Sequence, residues 1–523
     1  MRPTFWQPPV EPSAGEQTII KRIRRAKLFV FLRQHRHELF DETFQEELAG
    51  LYQDSPLGQP PIAPAQLALA TILQAYVGIS DDEVIEATIM DRRWQLVLDY
   101  LDGTDSPFSK GTLVAFRKRL IEAQMDRRLI ERTIEVAAAT RAFGSRSLRA
   151  ALDSSPLWGA SRVEDTYNLL GHALRKALSV IARQQGRGLA DVASEAGATL
   201  VSGSSLKAAL DLDWDNPTER GQALSIVLGV LTAVEAWMGT HPEGSEAPEV
   251  QQSMATAEQV KQQDVQVTEA GTAELRKGVA KDRRISVEDA QMRHGRKSRS
   301  IRIDGYKRHV LRDLDTGLVR AVGLTPANVA EATVTEAIRA DLAGQQVELS
   351  ELHIDRAYLS STWVRDRSAH LAVYCKAWPV RNGNWFLKTA FHLDWEHLLI
   401  QCPNRVVLPF EPGSVVHFPT ETCAACPLRE RCTTSARGRS VSIHPDEALL
   451  CELRQRQLTD MGRAKLRERV AVEHALAHIG RWQGRRARYR GLRKNLFDLR
   501  RTAVVHNLHV IARLPEQSQA EAA

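Results

Sequence analysis

Long hydrophobic runs are missing from this 523-residue chain: none is read as reaching the ~18 residues needed to cross a bilayer. The first residues, Met1-Arg2-Pro3-Thr4-Phe5-Trp6, lack the charged-then-apolar pattern of a secretory signal. Cysteine is scarce, with six in the whole chain, so a disulfide framework is not expected. A strong excess of one charge is also absent. A net charge of +6 and a pI near 9.0 permit a polyanionic partner without requiring one. These absences predict a cytoplasmic chain without a membrane partner.

What is present is enough apolar material, 43% of residues, for more than one core, and the length predicts two to four domains. The cations are clustered. Arg481, Arg485, Arg486, Arg488, Arg490, Arg493 and Lys494 crowd one stretch with no acid among them, and Trp482 and Tyr489 are interleaved. Density of this kind is the footprint of phosphate binding, and the aromatics could stack on bases or sugars. Arg293, Arg296, Lys297, Arg299 and Arg302 form a second group.

Residues 16–140 read as helical. Pro64 suits a first helical turn, Gly78 stops the run, and Ser80-Asp81-Asp82-Glu83 is a capping box for the next helix. Helix, glycine turn, capped helix is the layout of a helix-turn-helix. A helix carrying Phe116, Arg117, Lys118 and Arg119 is expected to present a basic face. DNA binding and a bundle for dimerisation fit this pattern equally.

A second domain, 146–515, opens with a strand at Leu148–Leu152. A mostly helical insertion follows at 160–297, including the heptad-like Leu169, Leu170, Ala173, Leu174 and Ala177 and a polar, helical 250–280. Two strands, Ser300–Ile303 and Tyr306–Leu311, then lead to a hairpin turn at Asp313–Gly317 and a partner strand, Leu318–Leu324. Asn328-Val329-Ala330-Glu331 reads as a capping box for a helix bearing Val334, Ile338 and Leu342. A strand from Gln346 ends at Asp355, a short helix follows over Ser360–Arg367, and Leu371–Cys375 is the next strand. After a cysteine-containing insertion, 376–455, helices close the chain. Without the insertions the order is three strands, alternating helix and strand, then helices. The expected fold is therefore α/β: an RNase H-like mixed sheet with helical and cysteine-rich insertions, preceded by an all-α domain.

In such a sheet Asp153 ends the first strand and Asp355 the fourth. Glu473 lies on the helix after the fifth, with Val470, Ala477 and Ile479 available to face the sheet. Three converging carboxylates repel one another unless hard cations join them. Two Mg²⁺ (or Mn²⁺) ions ~3.5–4 Å apart suit in-line phosphoryl transfer. Asp304 is the rival carboxylate, ranked lower because Asp304-Gly305 reads as a turn. Glu468 falls on a different helix face from Glu473. Cys402, Cys423, Cys426 and Cys432 suit a tetrahedral Zn²⁺ knuckle, with His417 as a substitute ligand; four reduced bystander cysteines are the alternative. Cys375 and Cys451 read as core.

Several words in the chain carry a family resemblance. They are Ala151-Leu152-Asp153-Ser154-Ser155, Asp304-Gly305-Tyr306-Lys307-Arg308-His309, Thr325-Pro326-Ala327-Asn328, His353-Ile354-Asp355-Arg356-Ala357-Tyr358, Arg469-x-x-x-Glu473 and Arg485-Arg486-Ala487-Arg488-Tyr489-Arg490-Gly491-Leu492. Together they resemble bacterial insertion-sequence transposases of the Asp-Asp-Glu (DDE) class, in the group often called eleven-eighty-two; residues 60–120 resemble the helical domain ahead of that core. The resemblance implies Asp153, Asp355 and Glu473 as catalytic metal ligands. It implies contacts to double-stranded DNA, both transposon ends and target, from Arg469, Arg481, Arg485, Arg486, Arg488, Tyr489, Arg490, Lys307 and Arg308. It also implies a homodimer in the synaptic complex and a nucleoid-associated protein. Arg469 matches the Arg of a Tyr-Arg-Glu-Lys signature whose Tyr and Lys fall here at Leu466 and Gly480. A metal-dependent nuclease without strand transfer, or a decayed DNA-binding relative, are the alternatives.

Overall fold

The computed structural model describes residues 2–54, 59–101, 103–140, 147–203, 205–269, 271–297 and 300–514. Arg299 of the second basic group lies outside them.

The N-terminal helices begin where the local signals put them. Helix α1, Pro64–Val77, starts on its proline and stops at Gly78, whose φ of +84° a side chain would resist. Ser80 Oγ then accepts from the Glu83 N–H while Glu83 accepts from the Ser80 N–H, opening α2, Asp81–Met90. Helices α3, Lys110–Glu122, and α4, Met125–Thr140, follow. The basic face expected on α3 is only partly offered to solvent: Lys118 is exposed, with Glu122 3.7 Å away, but its neighbours are engaged. Phe116 is buried, Arg117 pairs with Asp81 at 2.5 Å, and Arg119 lies over the Tyr52 ring at 4.6 Å. Arg117 and Arg119 are thus taken up by Asp81 and Tyr52, partners that the local sequence does not reveal.

The main sheet contains β1, Ser147–Trp158; β2, Arg293–Arg296; β3, Arg302–Asp313; β4, Val319–Pro326; β5, Glu348–Ile354; and β6, Ala372–Tyr374. Its order is β4-β3-β1-β5-β6. Strand β3 is antiparallel to both β1 and β4, whereas β5 runs parallel to β1 and β6 parallel to β5. Strand β2 pairs the start of β3, beyond the reach of β4. Three antiparallel strands followed by two parallel ones is the expected RNase H-like arrangement.

Two local expectations fail here. Asp304-Gly305 is not a turn but part of one continuous strand, with Asp304 opposite His294 and Gly305 opposite Trp158. Glycine is needed for clearance: a Cβ at residue 305 would stand 2.3 Å from the Gly159 nitrogen and 2.5 Å from the Leu157 oxygen. Asn328 is not a helix cap either. Its amide donates to Lys281 O and Asp282, and the chain enters a 3₁₀ turn at Glu331–Val334 before α5, Thr335–Ala343. Val334, Ile338 and Leu342 are buried as their spacing predicts.

The first insertion builds its own core, in which Leu169, Leu170, Ala173, Leu174 and Ala177 are fully buried. Its helix Pro248–Asp264 ends earlier than expected. Val265–Val267 and Ala273–Leu275 pair instead as a small hairpin. The helix Pro217–Thr240 is, against expectation, long and apolar enough to cross a membrane by length and composition. Its Leu224, Val227, Leu231 and Val234 are buried in that second core, while Ile226 on the opposite face is exposed.

Helices α6, Asp460–Glu468, α7, Val470–Gln483, and α8, Leu492–Ile511, close the chain. The face of α7 turned to the sheet is Val472, Ala475, Leu476 and Ile479. Val470 and Ala477, expected there, are exposed; only Ile479 of the predicted trio is buried. The expected trio fails because Ile479, nine residues on, stands half a turn from Val470, whereas Val472, Ala475, Leu476 and Ile479 follow the i, i+3, i+4, i+7 spacing of one face. Helix α8 packs on α1, α4 and β4, so one continuous core joins the N-terminal helices to the sheet. The division at 16–140 and 146–515 divides the chain but not this core.

Candidate active site

Strand register brings the two aspartates together. Leu152 of β1 pairs with Ile354 of β5 in parallel, so the next residues, Asp153 and Asp355, are neighbours where that ladder ends. Asp153 Oδ1 accepts from the Ser154 N–H at 2.7 Å. Asp355 Oδ1 accepts from the Arg356 N–H at 2.5 Å and caps the 3₁₀ turn Arg356–Tyr358. Glu473 reaches the same place from the first turn of α7. All three open on one cleft of about 660 Å³, together with Lys297, Arg469, Arg481 and Arg485.

Arg469 spans the acids. One guanidinium nitrogen bonds Asp153 Oδ2, and the other lies 3.1 Å from Glu473 Oε1. The Asp153 side chain is only 13% exposed, whereas that of Glu473 is 52% exposed. Burial raises the Asp153 pKa; Arg469 and the Ser154 N–H oppose the rise, and Asp355 and Glu331 add to it. The net direction is upward, so Asp153 gains from any additional cation.

Behind these acids lies a buried chain that periodicity did not reveal. His309 is bonded to Tyr358 Oη at 2.8 Å and to Thr325 Oγ1 at 3.0 Å. Burial holds His309 neutral, with its pKa near 3. The chain ties β3, β4 and the turn after β5 together directly behind the cleft. A second cluster, Glu351, His353 and Glu468, has ligand atoms within 4.8 Å of one another. It is already neutralised by Arg149 and Lys465. Against burial, which would raise it, hydrogen bonds from Lys465, His353 and Arg149 hold Glu351 at about 2. A metal there would have to displace two cations, so we read it as an ion-pair network. Glu468 is thereby turned away from the cleft.

The basic residues divide into two sets. Arg481 and Arg485 are exposed at the cleft and paired with no carboxylate among the described residues. The others have structural partners. Arg486 donates to Gly159 O and Ala160 O at 3.0 and 3.2 Å, and Arg488 to Trp482 O at 3.0 Å. Arg490 pairs with Glu288, and Arg493 with Asp126. Tyr489 lies beneath the Arg501 guanidinium, 5.8 Å from its ring centroid. Lys307 donates to Val329 O at 3.0 Å. Arg308 donates to Ser155 Oγ, Gln483 Oε1 and Gly484 O, and burial lowers its pKa to about 10. Trp482 is not a free stacking platform: it stacks on His509 with centroids 5.0 Å apart and packs near Tyr76. The chemistry of the basic run was legible, but its partners lie far away in sequence.

Because Arg469 already occupies the carboxylate site as a cation, it competes with any metal there. Arg469→Ala is expected to lower stability in divalent-free buffer by about 1–3 kcal/mol, the cost of a buried polar group left unpaired. Added Mg²⁺ should then raise the melting temperature more in the variant than in the parent. Equal Mg²⁺ shifts in a thermal-melt comparison would show that arginine and metal do not share the site.

Asp153 does not end the first strand as expected, because residues 154–158 stay paired to β3. A mixed sheet in this order, with one acid inside β1 beside another directly after β5, defines the RNase H-like class. The comparisons narrow the class. Two models described as "Transposase DDE domain" match residues 263–377 and 410–512, and one described as "Transposase domain (DUF772)" matches residues 20–119. Together they span more than half of the chain, including Asp355 and Glu473; Asp153 falls between them. No curated protein and no solved structure matches. The chain belongs to the DDE-type insertion-sequence transposases, DNA-cleaving and strand-transferring enzymes that use a divalent metal.

Proposed function

We propose that Asp153, Asp355 and Glu473 are the catalytic acids of this transposase and hold a pair of Mg²⁺ or Mn²⁺ ions. The observation that carries this is the parallel register that sets Asp153 beside Asp355, with Glu473 on the same cleft. The donor set is all carboxylate oxygen, which suits hard divalent ions. The site already accepts positive charge, in the form of the Arg469 guanidinium. Bound metal would supply an activated oxygen nucleophile and charge stabilisation at the leaving oxygen.

The chain's own groups do the rest. Arg481, Arg485 and Lys297 face the cleft and hold the DNA phosphates, while Arg308 fixes Ser155 and the turn after α7 from behind. Arg469, once released from Asp153, is placed to contact the scissile strand. The activity is cleavage at the ends of the chain's own element and joining of the freed 3′-hydroxyls to target DNA. The helical segment 16–140 contributes to DNA binding, and two copies pair the ends. Membership of the eleven-eighty-two group and a cytoplasmic, nucleoid-associated location belong to the same reading. All three acids are present and converge, which argues against a decayed relative.

The test is Mg²⁺-dependent cutting of a labelled duplex carrying the element's end, followed by capture of the cut end by a target plasmid. Cutting and capture together support the reading. Cutting without capture makes the chain a nuclease, and binding without cutting under Mg²⁺ or Mn²⁺ makes it a DNA-binding relative.

The free and engaged arginines should behave differently. Arg481→Ala and Arg485→Ala are each expected to weaken end binding several-fold. Each should reduce the slope of log affinity against log salt by about 1 while leaving the melting temperature unchanged. Arg486→Ala should instead lower the melting temperature, since its guanidinium ties the 485–487 turn to the end of β1. Salt-dependent binding isotherms beside thermal melts check both. A salt slope unchanged in Arg481→Ala and Arg485→Ala alike would remove them from the DNA path.

A further inference from the structure

We propose that Cys402, Cys423, Cys426 and Cys432 form a structural zinc site that holds the second insertion together, independent of the carboxylate cleft. All four are free thiols of intermediate burial. Although separated by up to thirty residues, they line one cavity of about 30 Å³, room for a single small ion. The rest of the lining is largely apolar, with Phe386, Phe391 and Phe418 prominent, and it contains no aspartate, glutamate or histidine. Thiolates alone in an apolar setting select a soft or borderline ion such as Zn²⁺ over the hard ions suited to the cleft.

The backbone is shaped for such a site. Cys402 follows the strand Leu399–Gln401 and enters a tight turn. Its N–H donates to Val406 O at 2.9 Å, and its carbonyl accepts from Arg405, which has a left-handed φ of +64°. Cys423 lies near the end of the helix Thr420–Ala424, Cys426 in the turn after it, and Cys432 directly after the 3₁₀ turn Arg429–Arg431. The four sulfurs thus come from two segments of the insertion that meet on one small core. Four thiolates around Zn²⁺ leave a net charge of −2, and two cations, Arg429 and Arg439, also line the cavity. The Arg439 Nε–H is buried without a hydrogen-bond partner, a donor available to a thiolate.

The insertion needs such a tie. Its core is seven buried residues, Phe391, Ile400, Phe410, Val416, Phe418, Val441 and Ile443, between strands of three residues each. A core that small seldom supports a fold without a staple. No three of the sulfurs lie within 4.8 Å of one another, whereas a tetrahedral set at Zn–S of about 2.3 Å has sulfurs about 3.8 Å apart. Metal binding therefore draws the turns inward, coupling zinc to the folding of this insertion. Cys375 and Cys451 are outside the cavity and take no part.

The experiment is metal analysis of the full-length protein purified without added zinc, followed by exchange with Co²⁺. About one zinc per chain, and the intense visible absorption of tetrahedral cobalt thiolate, are expected. Both should be lost in Cys402→Ser and Cys426→Ser and kept in Cys375→Ser, Cys451→Ser and Asp153→Ala. Where a serine variant fails to fold, titrating the parent with a thiol-specific reagent reads the same site: metal should leave as four thiols are modified. Zinc-free protein that gives no cobalt thiolate spectrum overturns the proposal. So does metal that survives in a folded Cys402→Ser variant, or a disulfide among the four in protein kept under reducing conditions.

Discussion

Asp153→Asn, Asp355→Asn and Glu473→Gln should each cut end cleavage by at least ~10³-fold while leaving end binding within a few-fold of the parent. The size follows from chemistry, since a factor of 10³ corresponds to about 4 kcal/mol of barrier. A divalent ion at a phosphoryl-transfer centre supplies several kcal/mol of charge stabilisation, and the amide variants keep the shape of the site while removing the anion that holds it. Binding should survive because Arg481, Arg485 and Lys297 are untouched. Asp153 is expected to be the least tolerant, being the most enclosed and bonded to both Ser154 and Arg469. Cleavage assays with binding controls on the same preparations check this. If Glu473→Gln alone retains activity, the third acid lies elsewhere, and Glu331, which already raises Asp153 electrostatically, is the next residue to replace. Glu468 is a poor substitute because Arg149 and Lys465 already hold it with Glu351, four residues back along β5 from Asp355 and outside the cleft.

The strands that carry the two aspartates were legible from short apolar runs next to an acid, although only β5 stops there and β1 continues past Asp153 to Trp158. Leu148–Leu152 and Gln346–Ile354 read as strands, and their parallel pairing then follows from the order of elements. Glu473 lies on a helix as read, but the face expected to meet the sheet was wrong: Val472, Ala475, Leu476 and Ile479 carry the helical spacing, and Val470 and Ala477 fall outside it. Asp304-Gly305 misled for a physical reason. An Asp-Gly pair reads as a turn when only local conformation is weighed, whereas here glycine serves a close approach of β1 to β3 that involves residues some 150 positions away. The basic run shows the same limit more sharply. Its density was visible, but Arg490 and Arg493 are neutralised by Glu288 and Asp126, and Trp482 is covered by His509 and Tyr76. A count of cations could therefore point to nucleic acid without telling which cations face it. The cysteines are an intermediate case. Their spacing suggested a metal, and the fold brings them to one cavity without closing the sulfurs to bonding distance.

Arg501→Met is expected to destabilise the protein by about 3–5 kcal/mol, the cost of breaking a buried ion pair from one side. Arg501 and Asp498 on α8 are each only 1% exposed. The guanidinium donates to Asp498 Oδ1 at 2.9 and 2.6 Å, to Gln74 Oε1 on α1 at 2.7 Å, and to Tyr489 Oη at 3.3 Å. Gln74 in turn donates to Asp81 and accepts from Arg117. One side chain thus joins the last helix, the basic turn and two N-terminal helices. Asp498 Oδ2 has no partner of its own, so removing Arg501 leaves a buried carboxylate without compensation. Arg501→Lys should recover little, because an ammonium cannot reach Asp498, Gln74 and Tyr489 in one plane. Arg501→Met with Asp498→Leu should recover a large part, since the pair is then replaced by apolar volume rather than broken. Urea denaturation of the four proteins distinguishes the cases. A midpoint for Arg501→Met within ~1 kcal/mol of the parent would mean that water already reaches this network. If the destabilisation is as large as expected, end binding should weaken too, although Arg501 is far too buried to touch DNA. The turn carrying Arg485 to Arg490 is fixed through Tyr489, and the N-terminal helices through Gln74, so the stability of this one ion pair sets the geometry with which both segments meet a DNA end.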